Sequence, residues 1–311
     1  MLDPRRLRLL RDVARTGSIA GAAEQAGCTA SAASQQLSAL ERDIGIALLE
    51  RSPRSVRLTE AGRILVEHTD RVLAELEAAV QAVRAAAGLQ GGQLRVAAFS
   101  SAGTHLVVPA LRAFRRLHPE VRLSFMELEP EEAVPAVSAG DVDLAVTHQY
   151  EQLPRPDLRG LRQDLLHRDP LLLAVPPHLR PAERAAVRLR DYAGATWLST
   201  RPAEGFQAAT ELISRAVGFE PDVAFRADTY DLLLALVAAD FGLALVPGLV
   251  AASRPGVAFF EIAEPAGLAR EIHATARAAD RSPAVEVMTR LLKRQLSGRV
   301  GTETQTRPPQ A

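Results

Sequence analysis

The chain has 311 residues, of which 47% are hydrophobic and 24% are charged, and its formal net charge is zero. This length exceeds one ordinary hydrophobic core and predicts at least two domains, and the composition is typical of a globular protein. Zero net charge argues against a protein that coats nucleic acid along its whole length. Residues 1–66, however, hold ten arginines against seven acidic residues, a local excess of +3.

The cysteine content and the hydropathy pattern indicate the compartment. Cys28 is the single cysteine and has no partner for an internal disulfide, which predicts a reducing environment. Charges are spread through the N-terminal segment, so it does not resemble a signal peptide. The most apolar stretch, 232–252, is broken by Gly and Pro and predicts helix, turn and buried strand rather than a membrane span. We therefore expect a cytoplasmic protein without a membrane partner.

Short helices separated by glycines make up the first 45 residues. An apolar stripe at helical spacing predicts a first helix that ends at Gly17. Ser18 can cap a second helix that ends at Gly27, and Thr29 can cap a third that runs to about Ile44.

Small or amide-bearing residues dominate the start and the outer face of this third helix. Such a surface suits an element that enters a DNA groove, because Gln can pair with adenine and Ser can contact bases or phosphates. The pattern predicts a helix-turn-helix, although a three-helix packing module with a solvated polar face fits these residues equally well. The candidate DNA-reading residues are Thr29, Ala30, Ser31, Ser34, Gln35, Gln36 and Ser38.

The segment that follows favours the DNA-binding alternative. Residues 47–51 and 55–58 predict two short strands joined as a hairpin wing. Arg51, Arg54 and Arg57 lie on this wing, where arginines can bind phosphates or enter the minor groove. A solvated loop would account for one such arginine more easily than for three.

The run from Gly17 to Gly62 resembles the DNA-binding region of LysR-type transcriptional regulators. The resemblance implies a winged helix-turn-helix that binds double-stranded DNA. Ala30 departs from the pattern, since many family members have Gln at this position, and Gln35 and Gln36 are the amides that remain nearby. The matching features are Gly17-Ser18, Ala22-Ala23, Ser34, Leu37, Leu40-Glu41, Gly45, Leu48, Arg51 and Leu58-Thr59-x-Ala61-Gly62.

Residues 59–90 form one unbroken helical pattern. Apolar residues recur in it at heptad-like spacing, which predicts a short coiled-coil seam, and the alternative is a helix packed on its own domain. Members of the family that the chain resembles dimerise through this helix. We therefore expect a homodimer or homotetramer that binds an inverted repeat. The predicted dimerisation residues are Leu65, Val72, Leu76, Ala79 and Val83.

Strand-like and helix-like runs alternate from Gly91 onward, which predicts an α/β domain with a largely parallel sheet. Its GDVDLAV run at 140–146 and VAADFGLALVP run at 237–247 resemble the effector domain of the same family, although members more often have Gly at the position of Asp240. The resemblance implies a two-lobed, periplasmic-binding-protein-like (type II) architecture. The strands are predicted at 94–98, 121–128, 141–147, 170–175, 195–199, 223–227, 242–246, 258–262 and 269–276, before a helix at 283–296.

The predicted fold is thus an all-α winged helix-turn-helix and a long linker helix, followed by this α/β effector domain. The expected bounds are 1–58 for the DNA-binding domain, 59–90 for the linker helix and 91–297 for the effector domain. Within the effector domain, lobe I is expected at about 91–165 and 266–297, and lobe II at about 166–265. Residues 298–311 have little to bury and predict a disordered tail.

Ligands of open α/β sheets bind beyond the carboxyl ends of strands, near helix N-termini. The serines among the candidates could also simply cap a helix, and the two roles are compatible. Arg201 hints at an anionic small-molecule effector, but a surface arginine explains it equally well. The rule selects Ser100, Ser101, Ala102, Thr147, His148, Ser199, Thr200, Arg201 and Pro247.

The sequence contains no catalytic motif that competes with this interpretation. The seven histidines lie far apart, and no nucleophile elbow, P-loop or dinucleotide fingerprint occurs. We expect no enzyme activity, no metal and no cofactor, and Cys28 lacks a second cysteine for disulfide sensing. The hypothesis is a ligand-responsive transcriptional regulator. The alternatives are a solute-binding protein or an enzyme on the same scaffold.

Overall fold

The computed structural model describes residues 2–52, 55–86, 92–181, 186–201, 205–251 and 254–303. Its N-terminal unit contains three short helices, a hairpin and one long helix, as the sequence predicts. In chain order these are α1 (Pro4–Thr16), α2 (Ile19–Gln25), α3 (Ala30–Ile44), β1 (Leu49–Ser52), β2 (Ser55–Leu58) and α4 (Glu60–Ala86).

Side-chain caps set the ends of these helices. The side chains of Asp3, Ser18 and Thr29 accept hydrogen bonds from backbone N–H groups of the first turns of α1, α2 and α3. Gly17 and Gly45 end α1 and α3 in the left-handed conformation, with φ of 68° and 78°. The apolar faces of the helices and the hairpin then share one core.

The second unit is an α/β domain of two lobes. Its first part consists of β3 (Gln93–Ala98), α5 (Ser100–Ala102), a π-helical turn (Gly103–Val107), α6 (Val108–Leu117), β4 (Arg122–Glu127), α7 (Pro130–Ala139) and β5 (Leu144–Tyr150). Its middle part consists of β6 (Leu161–Val175), β7 (Ala186–Arg188), β8 (Thr196–Ser199), α8 (Gly205–Ala216), β9 (Asp222–Arg226), α9 (Tyr230–Ala238), β10 (Ala244–Pro247) and β11 (Ala258–Glu264). The chain closes with β12 (Ala269–Arg277) and α10 (Pro283–Glu303).

The sheet is mixed, so the expectation of a largely parallel sheet is wrong. Strands β4, β3 and β5 are parallel neighbours, but β12 runs antiparallel to both β5 and β6. β6 pairs with β12 as far as Pro170 and continues into pairing with β10 and β11 from Leu171. One long strand therefore belongs to the ladders of both lobes, which an alternating βα pattern does not reveal.

Two elements extend beyond their predicted bounds. β6 begins at Leu161 rather than near Pro170, because its polar first half is stabilised by the ladder with β12 and not by burial. α10 continues to Glu303, into the segment predicted as a disordered tail, because extending an existing helix costs little once it is nucleated. Residues 304–311 lie outside the described residues.

Separate cores fill the two lobes. In lobe I, apolar residues of β3, β5 and β12 pack between α6 and α10. In lobe II, one cluster surrounds the fully buried Trp197, and a second lies under α9. Among the described helices, none is both long enough and apolar enough to cross a bilayer.

An ion pair joins the N-terminal unit to lobe I. Arg15 at the end of α1 donates to the carboxylate of Asp141, which follows α7. Within the N-terminal unit, Asp70 of α4 lies 4.0 Å from the Arg11 guanidinium. Burial raises the pKa of Asp70, and the nearby Arg11 and Arg15 oppose that rise. The first helix of the N-terminal unit is thus in direct contact with the α/β domain.

Candidate DNA interface and ligand cleft

One carboxylate attaches α3 to the wing. The Glu41 Oε1 accepts hydrogen bonds from the backbone N–H groups of Leu48 and Leu49, at 3.0 and 3.1 Å. These N–H groups belong to buried residues, so the contact satisfies donors that would otherwise lie unpaired. It also fixes the angle between the helix and the first strand of the hairpin.

Close packing fixes the junction of the wing with α4. The Thr59 hydroxyl donates to the Ala47 carbonyl at 2.9 Å and accepts from the Gly62 N–H at 3.0 Å. A Cβ atom on Gly62 would lie 2.2 Å from the Leu48 carbonyl oxygen, so this position needs a glycine for close approach. The wing, α3 and α4 are therefore held as one unit.

The predicted DNA-reading residues lie along α3 and at its N-terminal end. Thr29, Ala30, Ser31, Gln35 and Gln36 are exposed. Ser34 and Ser38 are half-buried and make contacts within the protein. The opposite side of the helix is buried in the core of the unit. The structure thus leaves five of the seven predicted residues open to solvent.

The wing arginines are described only in part. β1 and β2 pair in register, with Glu50 opposite Arg57, and Arg57 is exposed. Arg51 lies on β1, but its side chain is outside the described part of the chain, and so is the whole of Arg54.

Exposed apolar side chains line part of α4. Val72, Leu76 and Val83 of the predicted seam are 46%, 47% and 69% exposed, and Ala79 is exposed as well. Leu65 is half-buried and packs against the core of its own N-terminal unit. Ile64 and Val80, which heptad spacing did not select, are both 50% exposed.

A cleft of about 650 Å³ contains residues from both lobes. Lobe I contributes the start of α5, the start of α7 and the end of β5, and lobe II contributes residues around α8 and α9. The described lining residues are Phe99, Ser100, Ser101, Thr104, His105, Glu129, Glu131, His148, Tyr150, Thr200, Gly205, Phe206, Asp228, Thr229, Tyr230, Asp231, Leu234, Val250, Arg254 and Arg270.

A buried ion pair forms the floor of this cleft. Arg270 of β12 and Asp169 of β6 are 1% and 0% exposed and lie 2.9 Å apart. Arg270 also donates to the Ser101 hydroxyl at 3.1 Å, and its guanidinium carbon lies 4.9 Å from the centre of the Phe99 ring. The second carboxylate oxygen of Asp169 accepts the Leu249 N–H at 2.8 Å. Additional hydrogen bonds of this kind are what make a buried pair tolerable.

Aromatic rings form one wall of the cleft. His148 packs edge-on against Phe99 and Tyr150, with ring centres 4.5 and 5.1 Å apart. Phe206 lies next to Tyr150 and edge-on to Tyr230, and the two tyrosine hydroxyls are 3.5 Å apart. Burial raises the pKa of Tyr230 well above its usual value, so its phenol is uncharged at neutral pH.

Within the described ranges, two lining residues carry a buried polar atom without a hydrogen-bond partner. The Thr200 hydroxyl and the His148 Nδ1 have no hydrogen-bond partner among the described residues. Burial lowers the pKa of His148, although Glu129 opposes that shift from 3.5 Å away. Unsatisfied buried groups are costly and are expected where a ligand completes them.

Only some of the predicted effector residues line the cleft. Ser100, Ser101, His148 and Thr200 line the cleft, whereas Ala102, Ser199 and Pro247 are buried beside it and do not line it. Thr147 lines a neighbouring cavity of about 420 Å³ together with His148. Arg201 is exposed, pairs with Asp228 and does not line the cleft, so it provides no support for an anionic effector.

Sequence reasoning missed most of the aromatic and charged lining. Arg270 lies inside a predicted strand, where an arginine between apolar residues is itself a signal of a buried ion pair. Tyr150 follows the third predicted strand, so the strand-end rule could have included it. Phe206 and Tyr230 lie in helices and carried no such signal. Among the described residues, no group of three or more His, Cys, Asp or Glu could hold a metal ion.

Comparisons with known proteins agree with this geometry. Residues 4–63 match the family described as bacterial regulatory helix-turn-helix protein, lysR family. Residues 87–297 match the family described as LysR substrate binding domain. The probable HTH-type transcriptional regulator LrrA of Synechococcus elongatus is 30% identical over 80% of this chain and 82% of its own length. The HTH-type transcriptional regulator TfdS of Cupriavidus pinatubonensis is 32% identical over 85% of this chain and 88% of its own.

A solved structure extends the similarity to a DNA complex. Full-length CbnR bound to its target DNA matches with a TM-score of 0.58 and 26% identity, over 94% of this chain and 100% of that chain. The two family matches place a DNA-binding unit before a small-molecule-binding domain, in the order that the fold shows. The chain therefore belongs to the LysR family of transcriptional regulators.

Proposed function

We propose that α3 reads an inverted-repeat promoter site as part of a dimer or tetramer, and that a small molecule in the cleft between the lobes switches the complex. The observation that carries this proposal is the exposed polar surface of α3 on a helix that Glu41 attaches to the wing. Rigid attachment matters because base contacts require fixed geometry. Residues 1–58, 59–90 and 91–297 are proposed as the DNA-binding, linker and effector regions, and the cytoplasm as the compartment.

The proposed division of labour assigns base contacts to α3 and phosphate contacts to the wing. Gln35 and Gln36 present amides that can pair with adenine, and the exposed Ser31 can contact bases or phosphates. Arg57, together with Arg51 and Arg54, supplies positive charge for the sugar-phosphate backbone.

A gel-shift titration with the intergenic DNA upstream of the chain's own gene tests this division. Gln35→Ala should relax the preference at particular base pairs. Arg57→Ala should weaken binding to all DNA sequences alike, and should lower the slope of log affinity against log salt concentration by about one. Arg115→Ala removes the same charge from an exposed site on α6 and is the control. Sequence-independent binding by the unmodified protein would overturn the proposal.

The exposed row on α4 is the proposed dimer seam, with Val72, Leu76, Ala79 and Val83 at its centre. Exposed apolar rows of this length on a helix are expected to be covered by a partner. Leu76→Asp should therefore shift the oligomer toward monomer in light scattering. Leu212→Asp introduces the same charge at an exposed leucine of α8 and should leave the oligomer mass measured by light scattering unchanged.

The cleft is the proposed effector site, because it combines aromatic walls with buried polar atoms that have no hydrogen-bond partner in the part of the chain that the structure describes. A thermal-shift screen of small metabolites should identify ligands that raise Tm. Thr200→Val should weaken such binding, since it removes a hydroxyl that faces no protein partner among the described residues. Ligands that bind Thr200→Val as well as they bind the unmodified chain would place the site elsewhere.

A further inference from the structure

Carboxylates outnumber guanidinium groups among the described residues that line the cleft. With histidines uncharged, four carboxylates against two guanidinium groups leave two negative charges. Protonation of both lining histidines would bring the sum only to zero. The charged lining residues are Glu129, Glu131, Asp228, Asp231, Arg254 and Arg270.

Both guanidinium groups are already neutralised by acids of the protein. Arg270 is paired with Asp169 beneath the cleft, and Arg254 donates to the carboxylate and the carbonyl of Asp231, at 3.1 and 2.9 Å. The third nearby cation, Arg201, is bound to Asp228. An anionic ligand would therefore have to displace an existing pair.

The negative charge that remains lies at the start of α7. Within the described part of the chain, Glu129 and Glu131 have no arginine or lysine within 4 Å, and Glu129 contacts only His148 among ionisable groups. Both glutamates line the cleft. A group with positive charge would gain their attraction without breaking a contact of the protein.

The wall and the unpartnered atoms suit the same ligand. Phe206 and Tyr230 pack edge to face, and aromatic ring faces attract cations. The Nε2 of His148 faces the Glu129 carboxylate, which favours the proton on that nitrogen and leaves Nδ1 as a buried acceptor. The Thr200 hydroxyl is 5% exposed at residue level and can also accept a hydrogen bond.

We propose that the effector is a cation, namely a protonated amine carried on an apolar or aromatic body. The amine would lie near Glu129 and Glu131, and the body would pack against the rings of Tyr150, Phe206 and Tyr230. This inference rests on the proposed effector cleft, and it adds the chemical class of the ligand.

Three probes of similar size and different charge test the inference on the full-length chain. Calorimetric titration with phenethylamine, 2-phenylethanol and phenylacetate should give the tightest binding for the amine and the weakest for the carboxylate. In the double variant Glu129→Gln/Glu131→Gln, the preference for amine over alcohol should fall about fivefold, as expected for two partly exposed ion pairs. Glu132→Gln is the matched control, because Glu132 lies on the same turn of α7, is exposed and does not line the cleft.

The outcomes separate this inference from the proposed function. Tightest binding of phenylacetate, lost in Thr200→Val, would overturn the cationic class and leave the cleft as the effector site. Amine binding that neither Thr200→Val nor the double glutamine variant changes would overturn the cleft itself. Absence of binding by all three probes would also count against a cationic aromatic ligand. Sequence-selective DNA binding, measured in parallel, is independent of all three results.

Discussion

The N-terminal unit and the effector domain are each stabilised by internal hydrogen bonds, but these bonds join residues at different separations along the chain. In the N-terminal unit the key hydrogen bonds join residues close in the chain, such as Glu41 with Leu48 and Thr59 with Ala47. In the effector domain, Arg270 reaches Asp169 and Ser101, which are 101 and 169 positions away. The DNA-binding surface is therefore a property of a short segment, whereas the ligand cleft exists only when both lobes are folded.

The largest expected effect tests the distant contacts. Asp169→Ala leaves the Arg270 charge buried without its partner and should lower the free energy of unfolding by about 3–5 kcal/mol. Fluorescence of Trp197, the single tryptophan, reports on unfolding of lobe II. Asp228→Ala breaks the exposed pair with Arg201 and should cost less than about 1 kcal/mol. Equal losses in the two variants would contradict the distinction between buried and exposed pairs.

The second prediction tests the local contacts. Gly62→Ala places a Cβ against the Leu48 carbonyl oxygen and should destabilise the N-terminal unit by about 1–3 kcal/mol, with weaker DNA binding. Far-ultraviolet circular dichroism should show this loss while the Trp197 transition stays in place. Gly194→Ala has open space around the new Cβ and should be neutral. A shift of the Trp197 transition by Gly62→Ala would show that the two units unfold together.

The third prediction concerns pH and the effector domain. Burial lowers the pKa of His148 in the folded protein below the ordinary histidine pKa of 6.5. As the pH falls below 6.5, His148 therefore binds a proton in the unfolded chain more readily than in the folded chain, which favours unfolding. The stability contributed by neutral His148 is complete above that pH and declines below it. Burial also lowers the pKa of His273, so both histidines contribute to the decline.

Urea unfolding followed by Trp197 fluorescence across this pH range measures the decline. His148→Gln should make it shallower, and His178→Gln, at an exposed site, should not. A pH dependence identical in all three proteins would assign the decline to other groups.

The smallest effect is expected at one backbone position. Asp240 adopts a left-handed φ of 70°, a conformation that favours glycine over residues with a Cβ atom. Asp240→Gly should be more stable than Asp240→Ala by about 1 kcal/mol, since only Gly avoids the Cβ penalty. Thermal unfolding of the two variants measures the difference, and equal Tm values would mean that the loop relaxes.

The same difference in separation along the chain explains how much of the fold and of the site the sequence could predict. The caps at Ser18 and Thr29, the left-handed Gly17 and the apolar stripe of α3 are local signals, and the predicted helices and wing agree with the structure. The pairing of Arg270 with Asp169 and the extension of β6 to Leu161 depend on strand neighbours that no periodicity encodes. Leu65 fits the heptad spacing, but spacing alone does not distinguish a partner helix from the unit's own core.

The passage of β6 from one ladder to the other has a mechanical consequence. The change occurs between Pro170 and Leu171, and Pro170 has no backbone N–H to add to either ladder. Asp169, the residue before it, carries the buried charge beneath the cleft. The point at which β6 leaves one ladder for the other thus adjoins the floor of the cleft. A change in the angle between the two ladders would therefore act directly on the Arg270–Asp169 pair beneath the cleft.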